Sequence, residues 1–177
     1  MTYTLLTDEQ LAAQEKQDKL DLDLFKRVSR QTCKNMEQIY KLLEKGANPM
    51  RFDGELIQDT FFHSGYAPNC FEFFIHCYEK YPEVKDFVHN KLDLTSVLRE
   101  PVRHLDALEF LIGRTERNLT EQERESLNSP AKNHAQANEQ AIKQVNHALC
   151  KRDLHDRMKA KHQATPTKKN QAPQMKI

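Results

Sequence analysis

Leu42-Leu43-Glu44-Lys45-Gly46-Ala47-Asn48-Pro49 is the stretch on which the fold turns. Two leucines end an apolar helical face, and a glycine three residues on can enter the left-handed conformation needed just past a helix at little steric cost. Pro49 then discourages any continuation. Reading backwards, Asn35 with Gln38 three residues later has the spacing of a helix N-cap, and Ile39, Leu42 and Leu43 supply the buried face between. One turn earlier in the pattern, Leu20, Leu24 and Val28 recur every four residues with Phe25 beside them. That helix starts at Asp8, where Thr7 and Gln10 form a capping box, and it ends near Arg30. The result is a helix pair.

The same arrangement recurs downstream. Residues 55–64 and 70–81 read as a second pair, joined by Gly65-Tyr66-Ala67-Pro68-Asn69, with Asn69 and Glu72 at capping-box distance. Nine aromatics fall between residues 61 and 87, namely Phe61, Phe62, Tyr66, Phe71, Phe73, Phe74, Tyr78, Tyr81 and Phe87, and this stretch is the expected centre of the core. A third unit is less regular: residues 82–91 form an extra short helix before 94–98, Pro101 interrupts, and 104–112 ends at Gly113. Beyond residue 114, Thr120 and Glu123 cap a short acidic helix. Residues 131–161 carry a narrow stripe of Ala141, Ile142, Val145, Ala148 and Leu149. Residues 163–177, rich in Lys, Gln, Pro and Thr, cannot bury enough surface to offset their ordering entropy and are expected to be a disordered basic tail. The expected layout is thus an N-terminal capping segment (1–19), a helical repeat domain (20–114), a helical extension (115–162) and the tail.

Length and composition agree with an all-α chain. The 177 residues are enough for one domain with tails, and only four glycines are present, which disfavours a turn-rich β architecture. The net charge of +1 conceals an asymmetry. Residues 150–177 hold eight Lys/Arg against two Asp, a net +6, which leaves −5 on the first 149 residues. Phosphate contacts by Lys151, Arg152, Arg157, Lys159, Lys161, Lys168 and Lys169 would be the route to nonspecific nucleic-acid binding, although no aromatics interleave to stack on bases. The N-terminus has neither a basic start nor the apolar run of a secretory signal, and no span has the roughly 18 apolar residues that cross a bilayer. A soluble, cytoplasmic protein without membrane insertion is therefore expected.

The residues that could carry chemistry form no recognisable pattern. Cys33, Cys70, Cys77 and Cys150 include no CxxC pair, and they read as reduced thiols used mainly in packing. His63, Cys70, His76 and Cys77 are the nearest approach to a metal set. Their spacing matches no zinc motif, and adjacent helical residues such as His76 and Cys77 point about 100° apart. A cysteine nucleophile paired with His63 or His104 would make a hydrolase or transferase, yet no nucleophile turn or phosphate-binding loop accompanies it. No catalytic residue, metal or cofactor is assigned; the enzyme reading stays as an alternative.

The periodicity has a family counterpart. The apolar pairs at 42, 73 and 110 are 31 and 37 residues apart, near the roughly 33-residue period of an ankyrin repeat. The quoted stretch 42–49 closely resembles the end of such a repeat's second helix and the following turn. Gly54 and Gly65, eleven apart, match the two glycines that bracket its first helix. Where the family has Thr-Pro-Leu-His the chain has Leu56-Ile57-Gln58-Asp59, and Phe61 and Phe62 replace small inner alanines. The resemblance implies a degenerate stack of about three helix pairs, with an irregular helical bundle as the alternative. It further implies a non-catalytic protein-binding surface on the turn tips and first-helix faces, placing Arg51, Phe52 and Asp53 at one tip and Asp59, His63 and Tyr66 along the adjacent helix. The whole layout, with its acidic block Glu121-Gln122-Glu123-Arg124-Glu125 and lysine-containing C-terminus, also resembles effectors that intracellular bacteria deliver into host cells by type IV secretion. That resemblance implies a host protein as partner.

Overall fold

A computed structural model describes residues 7–29, 33–114, 117–129, 131 and 135–164, with the side chains of 161–164 left aside. The last helix runs through Ala164, two residues into the expected tail of 163–177, and the rest of that tail lies outside the described residues. The chain is all-α, and among the described residues nine helices follow one another without a strand.

Helix α1 (Asp8–Ser29) runs through residue 20 without a break, so the expected capping segment and the first helix of the pair are one element. Its start is capped as expected: Thr7 N donates to Gln10 Oε1 at 2.9 Å and Gln10 N to Thr7 Oγ1 at 3.3 Å. Residues 8–16 are exposed throughout, and burial begins with Asp21, Leu24 and Val28. Helix α2 (Met36–Glu44) has the expected Asn35 cap, whose Oδ1 accepts from Gln38 N at 3.2 Å. The helix stops where Gly46 takes φ +95°, with Gly46 N donating to Leu43 O and Ala47 N to Leu42 O, both at 3.0 Å. This 5→2 and 6→1 pair of bonds satisfies carbonyls the helix itself leaves open. The turn is tied to α1 by the buried carboxylate of Asp21, which accepts from Asn48 N at 2.7 Å and from Gln17 Nε2 at 2.8 Å.

Helices α3 (Glu55–His63) and α4 (Pro68–Lys80) form the aromatic centre, with Phe61, Phe73 and Phe74 fully buried. Two expectations are corrected here. Asn69 does not cap α4: Pro68 occupies the first helical position, so the helix begins two residues earlier than expected, and the Asn69 side chain instead donates to Cys33 O at 3.1 Å. Phe62 and Tyr66 are outside the core: Phe62 lies about 100° round α3 from the inward Phe61, and Tyr66 lies past the end of α3 in the turn before α4. Helix α5 (Pro82–Asn90) follows at once and sends Phe87 back to the start of α3. There Gly54 has φ +82°, and a Cβ would stand 2.5 Å from the Phe87 ring.

The third unit departs from a regular pair. Helix α6 (Thr95–Arg99) has only five residues and packs chiefly on α8 (Glu121–Asn128), while α7 (Leu105–Arg114) packs on α9 (Ala135–Ala164). So short a helix cannot cover the apolar face of α7, and the C-terminal extension covers it instead. The Thr120–Glu123 capping box is present, and Glu123 is more than a cap. Its Oε1 also accepts from Leu94 N at 3.3 Å and pairs with Arg117, in a buried ion pair. The expected α9 stripe docks through Ala141, Val145 and Leu149, with Ile142 and Ala148 at its edge.

The two left-handed glycines should respond differently to a methyl group. Gly46→Ala has open space and bears only the left-handed backbone cost, about 1–2 kcal/mol. Gly54→Ala adds the clash with Phe87 and should lose about 3 kcal/mol or more in urea unfolding. Equal losses would contradict the close approach.

Candidate functional site

Helix α3 separates the residues that the resemblance assigned to one surface. Its nine residues span about 13 Å at 1.5 Å each, with Arg51, Phe52 and Asp53 before its start and His63 and Tyr66 at its far end. Asp59 lies between them, half-buried. They therefore form two patches.

At the first patch Phe52, Asp53 and Gly54 take φ of +62°, +54° and +82° in succession. For phenylalanine that conformation is costly and is held only where surrounding contacts over-determine it. Those contacts are visible. The Phe52 ring meets Phe25 edge-on with centroids 5.2 Å apart, and the Arg51 guanidinium lies 6.0 Å from its centre. Arg51 in turn pairs with Asp18 at 2.7 Å. Phe52 nevertheless remains 44% exposed, so one face of a fixed ring is presented outward.

The second patch is built where the α3–α4 turn meets the loop before α7. Gly65 permits the approach: a Cβ there would lie 2.3 Å from Arg103 O and 2.7 Å from His104 Nδ1. Tyr66 is 52% exposed, with the Arg103 guanidinium 5.2 Å from its ring and His104 edge-on at 5.6 Å. Arg103 Nη1 donates to the Tyr66 hydroxyl at 3.0 Å, and Arg103 Nε pairs with Glu100 at 3.1 Å. Phe62 extends the cluster toward His63 and His104. A cleft of about 330 Å³ opens beside it, lined in part by Tyr66, Phe71, Arg103 and His104. Arg103, Glu100 and the outward role of Phe62 were not legible as site residues, and His104 was named only as a partner for a cysteine. Glu100, Arg103 and His104 flank the interrupting Pro101, where no periodic signal runs, and the close approach at Gly65 brings them to Tyr66.

Inside the patch His104 is buried, and its Nδ1 has no hydrogen-bond partner. Burial pushes its pKa below the ordinary 6.5, the Arg103 and His63 charges push the same way, and Glu100 opposes them. The imidazole is accordingly neutral in the folded chain at neutral pH.

The thiols occupy another region. Cys33, Cys70 and Cys77 are buried and Cys150 is exposed. The Cys33 thiol donates to Cys70, which raises its own pKa further above burial's contribution and lowers that of Cys70; Cys77 is raised by burial alone. Among the described residues no three His, Cys, Asp or Glu side chains converge to hold a metal ion. Among the described residues no helix is long and apolar enough to cross a membrane. One of the cations grouped with the basic tail is spent internally: Arg152 donates to Arg117 O at 2.6 Å and Asn118 Oδ1 at 2.7 Å, clasping α9 to the loop before α8.

Comparison with family models, curated proteins and solved structures finds no match for this chain.

Two measurements follow. The unfolded chain binds a proton at His104 near pH 6.5 that the folded chain does not, so stability is fully present above that pH and falls as the pH drops through the lower folded value. His104→Gln should flatten unfolding free energy against pH in that window by up to about 1.4 kcal/mol per pH unit; an unchanged slope would place the titration elsewhere. Alkylation of the native chain should add one adduct, at Cys150, and further adducts only on unfolding. Native labelling of Cys70 would show that its burial is transient.

Proposed function

We propose that the chain is a non-catalytic protein-binding scaffold, an ankyrin-like array of helix pairs that uses the two ends of α3 as its contact points. The observation that carries the reading is the pair of exposed, fixed aromatic rings, Phe52 and Tyr66, each with an arginine against its face. Aromatic and arginine side chains supply most hot spots of protein interfaces. A ring already held in place also loses little rotamer freedom when a partner covers it. The strained backbone at Phe52 supports the same reading, since a turn serving only as a connection would gain nothing from a left-handed phenylalanine. About 13 Å separates the two patches along α3, a span that a partner helix or extended segment bridges in a single contact. The cleft beside Tyr66 then receives one side chain of that segment.

The test is quantitative capture of the partner isolated with the full chain. Phe52→Ala and Tyr66→Ala should each weaken capture about tenfold or more, roughly 1.4 kcal/mol, while circular dichroism stays that of the parent chain. Glu83→Ala, exposed at the start of α5, should leave capture unchanged. Undiminished capture by both aromatic variants would remove the reading.

A further inference from the structure

Among the described residues two helix ends are covered by no other element, and their surfaces are complementary. Past Arg152 helix α9 leaves the body, with Leu154 60% and Met158 52% exposed. At 100° per residue, Lys151, His155 and Arg157 lie within about 80° of the stripe formed by Leu154 and Met158, while Asp153 and Asp156 lie about 120° and 180° away. The stripe borders an apolar groove of about 590 Å³ between α7 and α9, lined in part by Ile112, Gly113, Ala148, Leu154 and Met158. This is an apolar floor whose rim is mainly basic, with Lys151, Arg152 and His155 against the one carboxylate of Glu109. At the other end of the sequence, the exposed start of α1 carries the opposite pattern. Asp8, Leu11, Glu15 and Leu22 fall within about 60° of one another on one face, with Lys19 beside them one turn past Glu15, and both leucines are exposed.

We propose that the start of α1 of one copy docks in the α7–α9 groove of a second copy, joining chains head to tail. Leu11 enters the groove beside Leu154 and Met158, and Asp8 and Glu15 face Lys151, His155 and Arg157. The lengths agree: residues 8–16 rise about 13 Å and residues 151–158 about 12 Å. Pairing occurs between copies because α1 packs on α2 and α3, whereas α9 packs on α7. The contact uses two different surfaces, so it is heterologous, and it propagates into a ring or an open chain. Its electrostatic part lies at the surface and weakens as salt shortens the screening length below about 10 Å. Phe52 and Tyr66 take no part, so this association and the partner binding proposed above stand or fall separately.

Sedimentation of the full chain tests the proposal. The parent chain should form dimers and longer species as its concentration rises at low salt, and fewer at high salt. Leu11→Asp and Leu154→Asp should each raise the dissociation constant at least about tenfold, with unchanged circular dichroism. Each variant keeps one intact half of the contact, so an equimolar mixture of the two should recover dimers and nothing larger. A parent chain that stays monomeric at low salt overturns the proposal, as do single variants that associate like the parent or a mixture that recovers no dimer.

Discussion

Phe61 and Phe74 meet with ring centroids 5.0 Å apart, and the rest of the structure depends on that contact between α3 and α4. Helices of nine and thirteen residues are marginal by themselves in water, because nucleating each costs more than its few hydrogen bonds return. Their stability comes from burying one face. These two rings and that of Phe73 are the largest fully buried side chains among the described residues. Neighbouring helices are recruited to the same wall: Phe87 from α5 closes over Gly54, and Phe110 from α7 meets the edge of Phe74 at 6.2 Å.

Around this wall the turns are held by polar groups acting across long sequence separations, two of them, Asp21 and Glu123, buried. Asp21 grips the turn after α2. Gln58 and Asp93 exchange bonds at 2.8 and 2.9 Å, tying α3 to the loop before α6. Glu123 joins α8 to residue 94 while it caps its own helix. Asp21 and Glu123 would be costly if left unsatisfied away from water, so each specifies one arrangement of the short helices around it. The same rigidity reaches both ends of α3, where it holds Phe52 in a left-handed turn and sets Tyr66 against Arg103 and His104.

Much of the fold was legible because its determinants are local. The caps at Thr7, Asn35 and Thr120, the stop at Gly46 and the stripe on α9 act within one turn of the residues that carry them, and they appear where the pattern places them. Asn69 was misread because the cap pattern and the preference of Pro68 for the first helical position compete within two residues, and proline prevails. Of the candidate site, Phe52 and Tyr66 were placed on the surface by the family resemblance, and both rings are exposed. Their separation by the full length of α3 was not legible, and neither were their contacts with Phe25, Arg103 and His104.

By itself the sequence determined that the chain is helical, where most helices begin and end, and which faces they bury, since capping geometry and the 3.6-residue period are properties of a short segment. Only the tertiary structure decided which helix covers which. Helix α6 is too short to shield α7, so α9 does so, and Arg152 is drawn from a seemingly free basic segment into a clasp on the loop before α8. Such choices rest on contacts between residues 30 or more apart, where no local pattern selects the partner and only the competition to bury apolar surface does.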